Sequence, residues 1–328
     1  MFQIRTIGKR FVVTKIAVIG GGCSAEAEVS RSSAAQVTQA LERTFTVKYF
    51  ELSQSIATEL IDFAPSVVFP VLHGFPGEDG TVQGLLSILG YPFVGSDTNA
   101  SVISINKALS KFYFDAAGLP VLPQVIVTQE SLEADIIRVT ESFGDRVVCK
   151  PMHGGSALGV VPLPSGGDVR KALTTSLVID NTILVEPFVE GREITVGVLD
   201  LHHEQIEALP VTEILVAKDE WYDYTNRYTP GRSEHVIPAD IDDTTTNALQ
   251  TTAIRAHQSV GCRDLSRVDF ILEPNGTFWV LEVNNIPGMT PTSLYPDAAQ
   301  VHGISFQILA EKLVSSASRR GSDLGELK

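Results

Sequence analysis

Short apolar runs, bounded by glycine, proline and polar clusters, alternate along this chain with longer stretches of helical periodicity. Lys15–Ile19 reads as a buried strand, Ala25–Glu42 as a helix, Phe45–Phe50 as a second strand and Ser66–Leu72 as a third. Strand, helix, strand in succession is the pattern of an open α/β sheet. Asn106–Ala117 has helical spacing and stops at Gly118-Leu119-Pro120, where glycine closes a helix and proline cannot continue it. A second unit begins with strands over Gln124–Val127 and Val147–Lys150, the latter feeding a glycine-rich loop from His153 to Gly159. A third opens near Arg192 with a polar loop, Lys218–Glu234, a helix over Thr244–Val260, a hairpin over Leu265–Val283 and a closing helix around Ile304–Ser316. Residues 1–13 and about 318–328 read as loosely held ends. No repeat of 20–50 residues marks a solenoid. The pattern predicts three α/β lobes.

Composition narrows the function classes. A chain of 328 residues that is 44% hydrophobic and 20% charged has too much apolar content to be largely disordered. Its 25 Lys and Arg against 39 Asp and Glu give a net charge of −14, which argues against nucleic acid or an anionic membrane as the main partner. Cys23, Cys149 and Cys262 are far apart with no C-x-x-C pair, as expected in a reducing compartment and without structural zinc. No apolar run approaches the roughly 18–20 residues needed to span a bilayer. Ile16–Ile19, cut short by three glycines, cannot serve as a signal-peptide core. A cytoplasmic location is expected.

The first candidate motif is ambiguous. Gly20-Gly21-Gly22-Cys23-Ser24-Ala25 lies between a strand and a helix and satisfies G-x-G-x-x-A, with Glu51 ending the next strand. That layout suits a dinucleotide, glycines admitting the pyrophosphate and the acid holding a ribose. It equally suits a tight turn with no ligand, or a helix N-terminus facing a small anionic substrate.

The hairpin says more. Asn275-Gly276 between two apolar runs predicts a two-residue turn with Pro274 opposite Thr277. In that register Asp269 faces Glu282 and Arg267 faces Asn284, all four on one side of the sheet because i and i+2 share a face. Opposed carboxylates with Cβ atoms about 5 Å apart repel and need compensation. Arg267 is one source. A divalent cation is another, since two carboxylates and an amide oxygen are hard ligands of the kind Mg²⁺ takes, with substrate phosphates completing the shell. Lys150, at a strand end before the loop His153-Gly154-Gly155-Ser156-Ala157-Leu158-Gly159, adds a cation beside backbone amides that can close over phosphates, although no P-loop pattern occurs.

These motifs, together with Gly21-Gly22-Cys23-Ser24-Ala25-Glu26, His73-Gly74-Phe75-Pro76-Gly77-Glu78-Asp79-Gly80, Arg267-Val268-Asp269 and Glu282-Val283-Asn284-Asn285-Ile286-Pro287-Gly288-Met289-Thr290, resemble the D-alanine–D-alanine ligases of the ATP-grasp superfamily over roughly residues 15–315. The resemblance implies an N-terminal open α/β substrate domain (14–106), a central ATP-grasp lobe (107–192) and a C-terminal lobe carrying the metal site and lid (193–318). It implies ATP and two Mg²⁺ ions, which Mn²⁺ can replace, and two D-alanines as substrates. Nucleic acid and membrane are not expected as partners, and the expected assembly is a homodimer. It turns the first glycine motif toward substrate instead of a dinucleotide.

Residue by residue, the resemblance assigns Lys107 and Lys150 to the ATP phosphates, Glu186 and Val189 to adenine through backbone groups, and Glu193 to ribose. It makes Asp269, Glu282 and Asn284 the metal ligands. Glu26 stands near the first D-alanine's ammonium in a hydrogen-bonded trio with Ser156 and Tyr228, and His73 beside that substrate. Arg267 and the Gly288 N–H would face the tetrahedral oxyanion, and Ser293 with the Leu294 N–H the second carboxylate. Lys218–Glu234 becomes a lid, with Arg227 closing onto the phosphates. Tyr228, where depsipeptide-forming relatives tend to carry histidine, points to a dipeptide product; joining D-alanine to D-serine or D-lactate is the alternative. The sequence departs from the family at Gly154, Arg227, Asn285 and Pro291-Thr292, and none of these departures removes a charge or ligand that the reaction requires. His153 is expected to face solvent, Cys149 to sit in the core, and His202, His203, His235, His257 and His302 to have no catalytic role.

Overall fold

The structure, a computed structural model, describes residues 15–217, 221–229, 231–290 and 292–325; the expected loose segment 1–13 lies outside the described residues. The first sheet holds β1 (Lys15–Gly20), β2 (Thr46–Glu51) and β3 (Val67–Pro70) in the order β2-β1-β3, all parallel, as the alternating pattern predicts. Ile16 to Ile19 are fully buried because both faces of the central strand are covered. Helices α1 (Ala27–Leu41) and α2 (Ile56–Phe63) supply the crossovers, and α3 (Thr81–Ile88) and α4 (Thr98–Ile105) follow. Asn106 caps α5 (Lys107–Ala116) by accepting from the Leu109 N–H at 2.9 Å.

The second sheet is antiparallel, β4 (Val125–Thr128), β5 (Val147–Pro151), β6 (Val161–Pro162) and β7 (Thr182–Pro187) in the order β4-β7-β5-β6. Helices α6 (Leu132–Phe143) and α7 (Val169–Ser176) pack Leu132, Val139, Val169 and Leu173 onto Val147, Ile183 and Val185. Cys149 is fully buried in that core, as its inward phase predicts, and burial pushes its thiol up to about 12.

The third sheet is also antiparallel. It contains β8 (Arg192–Asp200), β9 (Glu207–Ala208), β10 (Thr212–Val216), β11 (Ser233–Val236), β12 (Asp264–Leu272) and β13 (Phe278–Asn284), ordered β11-β10-β8-β12-β13 with β9 beside β8. The expected polar loop 218–234 is partly structured: α8 (Tyr224–Tyr228), capped by Asp223, and the start of β11 fall within it. Residues 218–220 and 230, also in that segment, lie outside the described residues. Helix α9 (Asp243–Ser259) packs Leu249, Ala253 and Ala256 against this sheet, sharing a core with Phe114 of α5. Helices α10 (Leu294–Val301) and α11 (Phe306–Arg320) close the chain.

One expectation needs correction. The segment beyond 318 is not loose through Asp323. Arg320 donates to the buried Asp264 at 2.7 and 2.9 Å and to the Phe93 carbonyl at 2.7 Å, and Arg263 pairs with Asp323 at 2.7 and 3.0 Å. Helix α11 packs on two units at once: Leu309, Leu313, Val314 and Ala317 share one core with Ile16, Val18, Val37 and Phe69 of the first unit and with Leu199 and Leu265 of the third sheet. Among the described residues no helix is long and apolar enough to cross a membrane.

Candidate active site

The β12–β13 hairpin sets the acidic face, by a route that differs from the two-residue turn expected. Glu273 N–H donates to the Thr277 carbonyl at 2.8 Å, so three residues, Pro274-Asn275-Gly276, form the loop. Pro274 suits the first corner of a type I turn, and Gly276 takes the left-handed conformation (φ 87°) that a three-residue hairpin demands. Near the loop the register is therefore one off, with Phe270 opposite Val280. An irregularity between Asp269 and Phe270, where Leu281 is the extra residue, restores Asp269↔Glu282 and Arg267↔Asn284. The bulge places Leu281 on the cleft wall beside Glu282. The pairing at the site holds because two departures cancel.

Arg267 donates through Nε and Nη2 to the two Asp269 oxygens, each at 2.8 Å, and Thr195 Oγ1 donates to Oδ1 at 2.6 Å from the neighbouring strand β8. The guanidinium outweighs burial and holds the Asp269 carboxyl below its usual range. The Asn284 amide oxygen is fixed by the Ile286 N–H at 3.0 Å. Among the described residues no three His, Cys, Asp or Glu side chains converge to hold a metal. Two carboxylates and one amide oxygen fit a hard divalent cation that takes the rest of its shell from substrate oxygens and water.

This face opens on a cleft of about 1170 Å³, solvent at its mouth included. Lys107, Lys150, Glu186, Val189, Glu193, Arg227, Asp269 and Glu282 all line it, among apolar walls from Leu122, Val148, Phe188, Ile271 and Leu281. Lys107 Nζ donates to the Gly154 carbonyl of the glycine-rich loop at 2.7 Å and stands 3.6 Å from Glu282 Oε2. Lys150 contacts Glu186, whose other oxygen is held by Lys111. Burial pushes Lys150 down to about 8. Desolvation raises Glu193, opposed by Arg227 and by the Tyr222 N–H. The Arg227 guanidinium lies 4.3 Å from the Tyr222 ring centroid, and its Nε donates to the Tyr222 carbonyl at 3.1 Å.

A second, more polar compartment of about 640 Å³ adjoins the cleft, sharing Gly155, Tyr222, Arg227 and Glu282 with it. Glu26, His73, Ser156, Arg267, Asn284, Gly288, Ser293 and Leu294 line it. Ser156 Oγ donates to Glu26, reaching from the loop across to the first unit, and both Ser156 and Ala157 take left-handed backbone (φ 53° and 57°). His73 is buried with Nε2 3.3 Å from Ser33 Oγ, and desolvation lowers it toward the neutral form. A Cβ at Gly288 would meet Ser293 Oγ at 2.7 Å, so a side chain there would displace the Ser293 hydroxyl. Tyr228 ends α8, and its side chain lies outside the described residues.

The dinucleotide layout is not realised. Glu51 is taken by Arg31 at 2.7 Å, by the Tyr49 hydroxyl and by the Gly22 N–H at 3.0 Å, so the acid that would hold a ribose closes its own turn. His153 is half exposed and pairs with Asp180 at 3.0 Å, although its segment also borders the cleft. The other five histidines line neither compartment. Three residues escaped the sequence reading. Glu78, buried in the small compartment and accepting from the Gly74 N–H at 2.6 Å, lies within a quoted motif, but its burial is set by distant segments. Tyr222 borders both compartments. Lys111 could have been found by its spacing of four from Lys107 on one helix.

The family described as D-ala D-ala ligase C-terminus matches residues 113–315, and D-ala D-ala ligase N-terminus matches residues 52–96. The chain belongs to the D-alanine–D-alanine ligase family. Within the family it is 40% identical over 308 residues to a D-alanine–D-alanine ligase of Halalkalibacterium halodurans, covering 93% of this chain and 100% of that one. It is 41% identical to one of Syntrophobacter fumaroxidans, covering 92% and 97%. Solved structures of the same three-lobed ATP-grasp fold include D-alanyl-alanine synthetase A from Vibrio cholerae (TM-score 0.82, 26% identity, 94% of this chain and 99% of that one). Another is the VanG D-Ala:D-Ser ligase from Enterococcus faecalis (TM-score 0.81, 28% identity, 93% and 100%).

Proposed function

We propose that this enzyme joins two D-alanines into D-alanyl-D-alanine, with ATP cleaved to ADP and phosphate, as a precursor for peptidoglycan. The observation that carries the reading is the junction of an apolar-walled cleft with a small polar compartment at Glu282 and Arg227. A nucleotide and an amino acid held on the two sides would meet there. The three lobes then divide as 14–106, 107–192 and 193–318, and the enzyme works in the cytoplasm as a homodimer.

In this reading Lys107 and Lys150 hold the phosphates, backbone groups of Glu186 and Val189 hold adenine, and Glu193 the ribose. Asp269, Glu282 and Asn284 would hold two magnesium ions, or manganese in their place; when bound, such ions neutralise charge on the transferring phosphoryl group. The γ-phosphoryl passes to a carboxylate oxygen of the first D-alanine, giving an acyl phosphate and ADP. Glu26, with Ser156 and Tyr228, and His73 orient that first substrate. The second D-alanine, its carboxylate held by Ser293 and the Leu294 N–H, attacks the acyl carbon through its neutral amine. Arg267 and the Gly288 N–H face the oxyanion, which collapses with loss of phosphate; one such donor is typically worth about 3–4 kcal/mol. Arg227 and its segment exclude water that would hydrolyse the acyl phosphate.

Measuring ADP release with D-alanine, D-serine and D-lactate, with products separated by mass, tests the reading. The expected product at neutral pH is overwhelmingly D-alanyl-D-alanine. Dominant D-alanyl-D-serine or depsipeptide would instead assign the chain to the alternative specificity, and no D-alanine-dependent ADP release would overturn the reading.

A further inference from the structure

Behind the cleft, three buried charges meet on two elements of the second unit and on α5. Glu186 of β7 is 1% exposed, and its two carboxylate oxygens contact Lys111 and Lys150 separately. Lys150 lines the cleft, whereas Lys111, at 2% exposure, lines neither compartment. Lys111 lies one helical turn beyond Lys107 on α5, so one helix face sends one lysine to the cleft and the next to the support behind it.

The arithmetic of charge gives Lys111 its role. Glu186 with Lys150 alone would form a closed, neutral pair in a site where water does not screen it. A lysine satisfied by its own buried carboxylate has little charge left for a phosphate. With Lys111 on the second oxygen, the trio carries a net charge of +1, directed into the cleft through Lys150. We infer that Lys111 is a positioning residue for nucleotide binding: by occupying one oxygen of Glu186 it leaves the Lys150 ammonium to be shared with a polyphosphate. The inference rests on the proposed nucleotide site. Burial and Lys150 push the Lys111 ammonium down to about 7, so its charge depends on the Glu186 carboxylate in contact with it. A lysine that only neutralised a buried glutamate would be redundant here, because Lys150 already does so.

The test is titration calorimetry of ADP with Mg²⁺ on the full chain and its variants, with thermal unfolding of each ligand-free protein recorded alongside. Lys111→Met should weaken nucleotide binding roughly tenfold or more, the scale of a hydrogen bond to a charged group. Lys111→Met combined with Glu186→Gln restores a net charge of +1 and should recover affinity to within about threefold of wild type, since the two residues act as one unit. Lys111→Arg should bind as wild type does. The inference is overturned if Lys111→Met keeps wild-type affinity, whatever its thermal stability, or if the double variant shows no recovery. Wild-type protein that binds no ADP would overturn the nucleotide reading, and this inference with it.

Discussion

Glu51 and Glu282 both stand near strand ends beside motifs that suggest nucleotide chemistry, and the fold treats them in opposite ways. Glu51 is enclosed by Arg31, Tyr49 and the Gly22 N–H, and Arg31 above all holds its carboxyl down to about 2. Glu282 borders both compartments, and its ion pair with Lys107 spans 3.6 Å, longer than a hydrogen bond. A carboxylate whose lone pairs are filled by the protein is structure; one left facing a cavity can take a ligand. The glycine turn beside Glu51 and the hairpin carrying Glu282 differ in their neighbours, which come from elsewhere in the chain.

The strongest way to break the comparison is to remove the exposed acid. Glu282→Gln should lower turnover at least about a hundredfold under saturating Mg²⁺, as expected when a metal ligand is lost, while leaving the melting temperature unchanged. Near-normal turnover would refute the hairpin site. Asp269→Asn should be as damaging to turnover, and it should also destabilise the protein by about 3 kcal/mol, because it strips the buried Arg267 of its counter-ion. Denaturant unfolding separates the two variants.

Arg227 borders both compartments from α8 and tests the closing of that junction. Arg227→Ala should reduce turnover roughly tenfold with a smaller effect on D-alanine binding, whereas Arg227→Lys keeps the charge and should be mild. Amide exchange across Lys218–Glu234 should slow when ATP, Mg²⁺ and a phosphinate analogue are bound. Wild-type turnover in Arg227→Ala with unchanged exchange would remove the lid from the mechanism.

A pH series sharpens the contrast by several-fold effects. Lys111 and Lys150, pushed down to about 7 and about 8, face Glu186, Glu193, Glu282 and Lys107. Burial loosens their hold on the proton against the pull of Glu186, so ADP affinity should fall as pH rises from 7 to 9. Above pH 8 the two lysines alone would make stability rise with pH, because the unfolded chain keeps them protonated to about 10.4, whereas the Cys149 thiol, held protonated in the folded core up to about 12, contributes the opposite sign. Affinity constant across this range would contradict the lysine cluster. The smallest effect belongs to Glu51→Gln, which should leave turnover unchanged and cost only stability, most visibly above pH 4, where the wild-type carboxylate is ionised. Loss of nucleotide binding in that variant would collapse the distinction between the two glutamates.

What the sequence made legible follows the same division. Strand alternation and the hairpin put Arg267, Asp269, Glu282 and Asn284 on one face because period-two geometry is local. At the loop two local cues compete: Asn275-Gly276 is a strong two-residue signal, and Pro274 before it suits the first corner of the longer loop that forms. The compensating bulge at Leu281 has no local signal, since it answers to packing across the sheet. Lys111 and Glu186, 75 positions apart, meet only through tertiary packing. The short strands β6 and β9 and the helix α8 are too brief for periodicity to reveal.

The return of α11 to the first sheet has a consequence for biosynthesis. The α1 and β3 surface that Leu309, Leu313 and Val314 cover is made well before its cover. Roughly 200 residues separate the end of the first unit from α11, a wait of about 10–40 s at ribosomal rates of 5–20 residues per second. Throughout that interval the nascent chain displays an uncovered apolar surface. The first unit therefore completes its core only after both later sheets have been made, and a chaperone that shields nascent chains would find its binding site there.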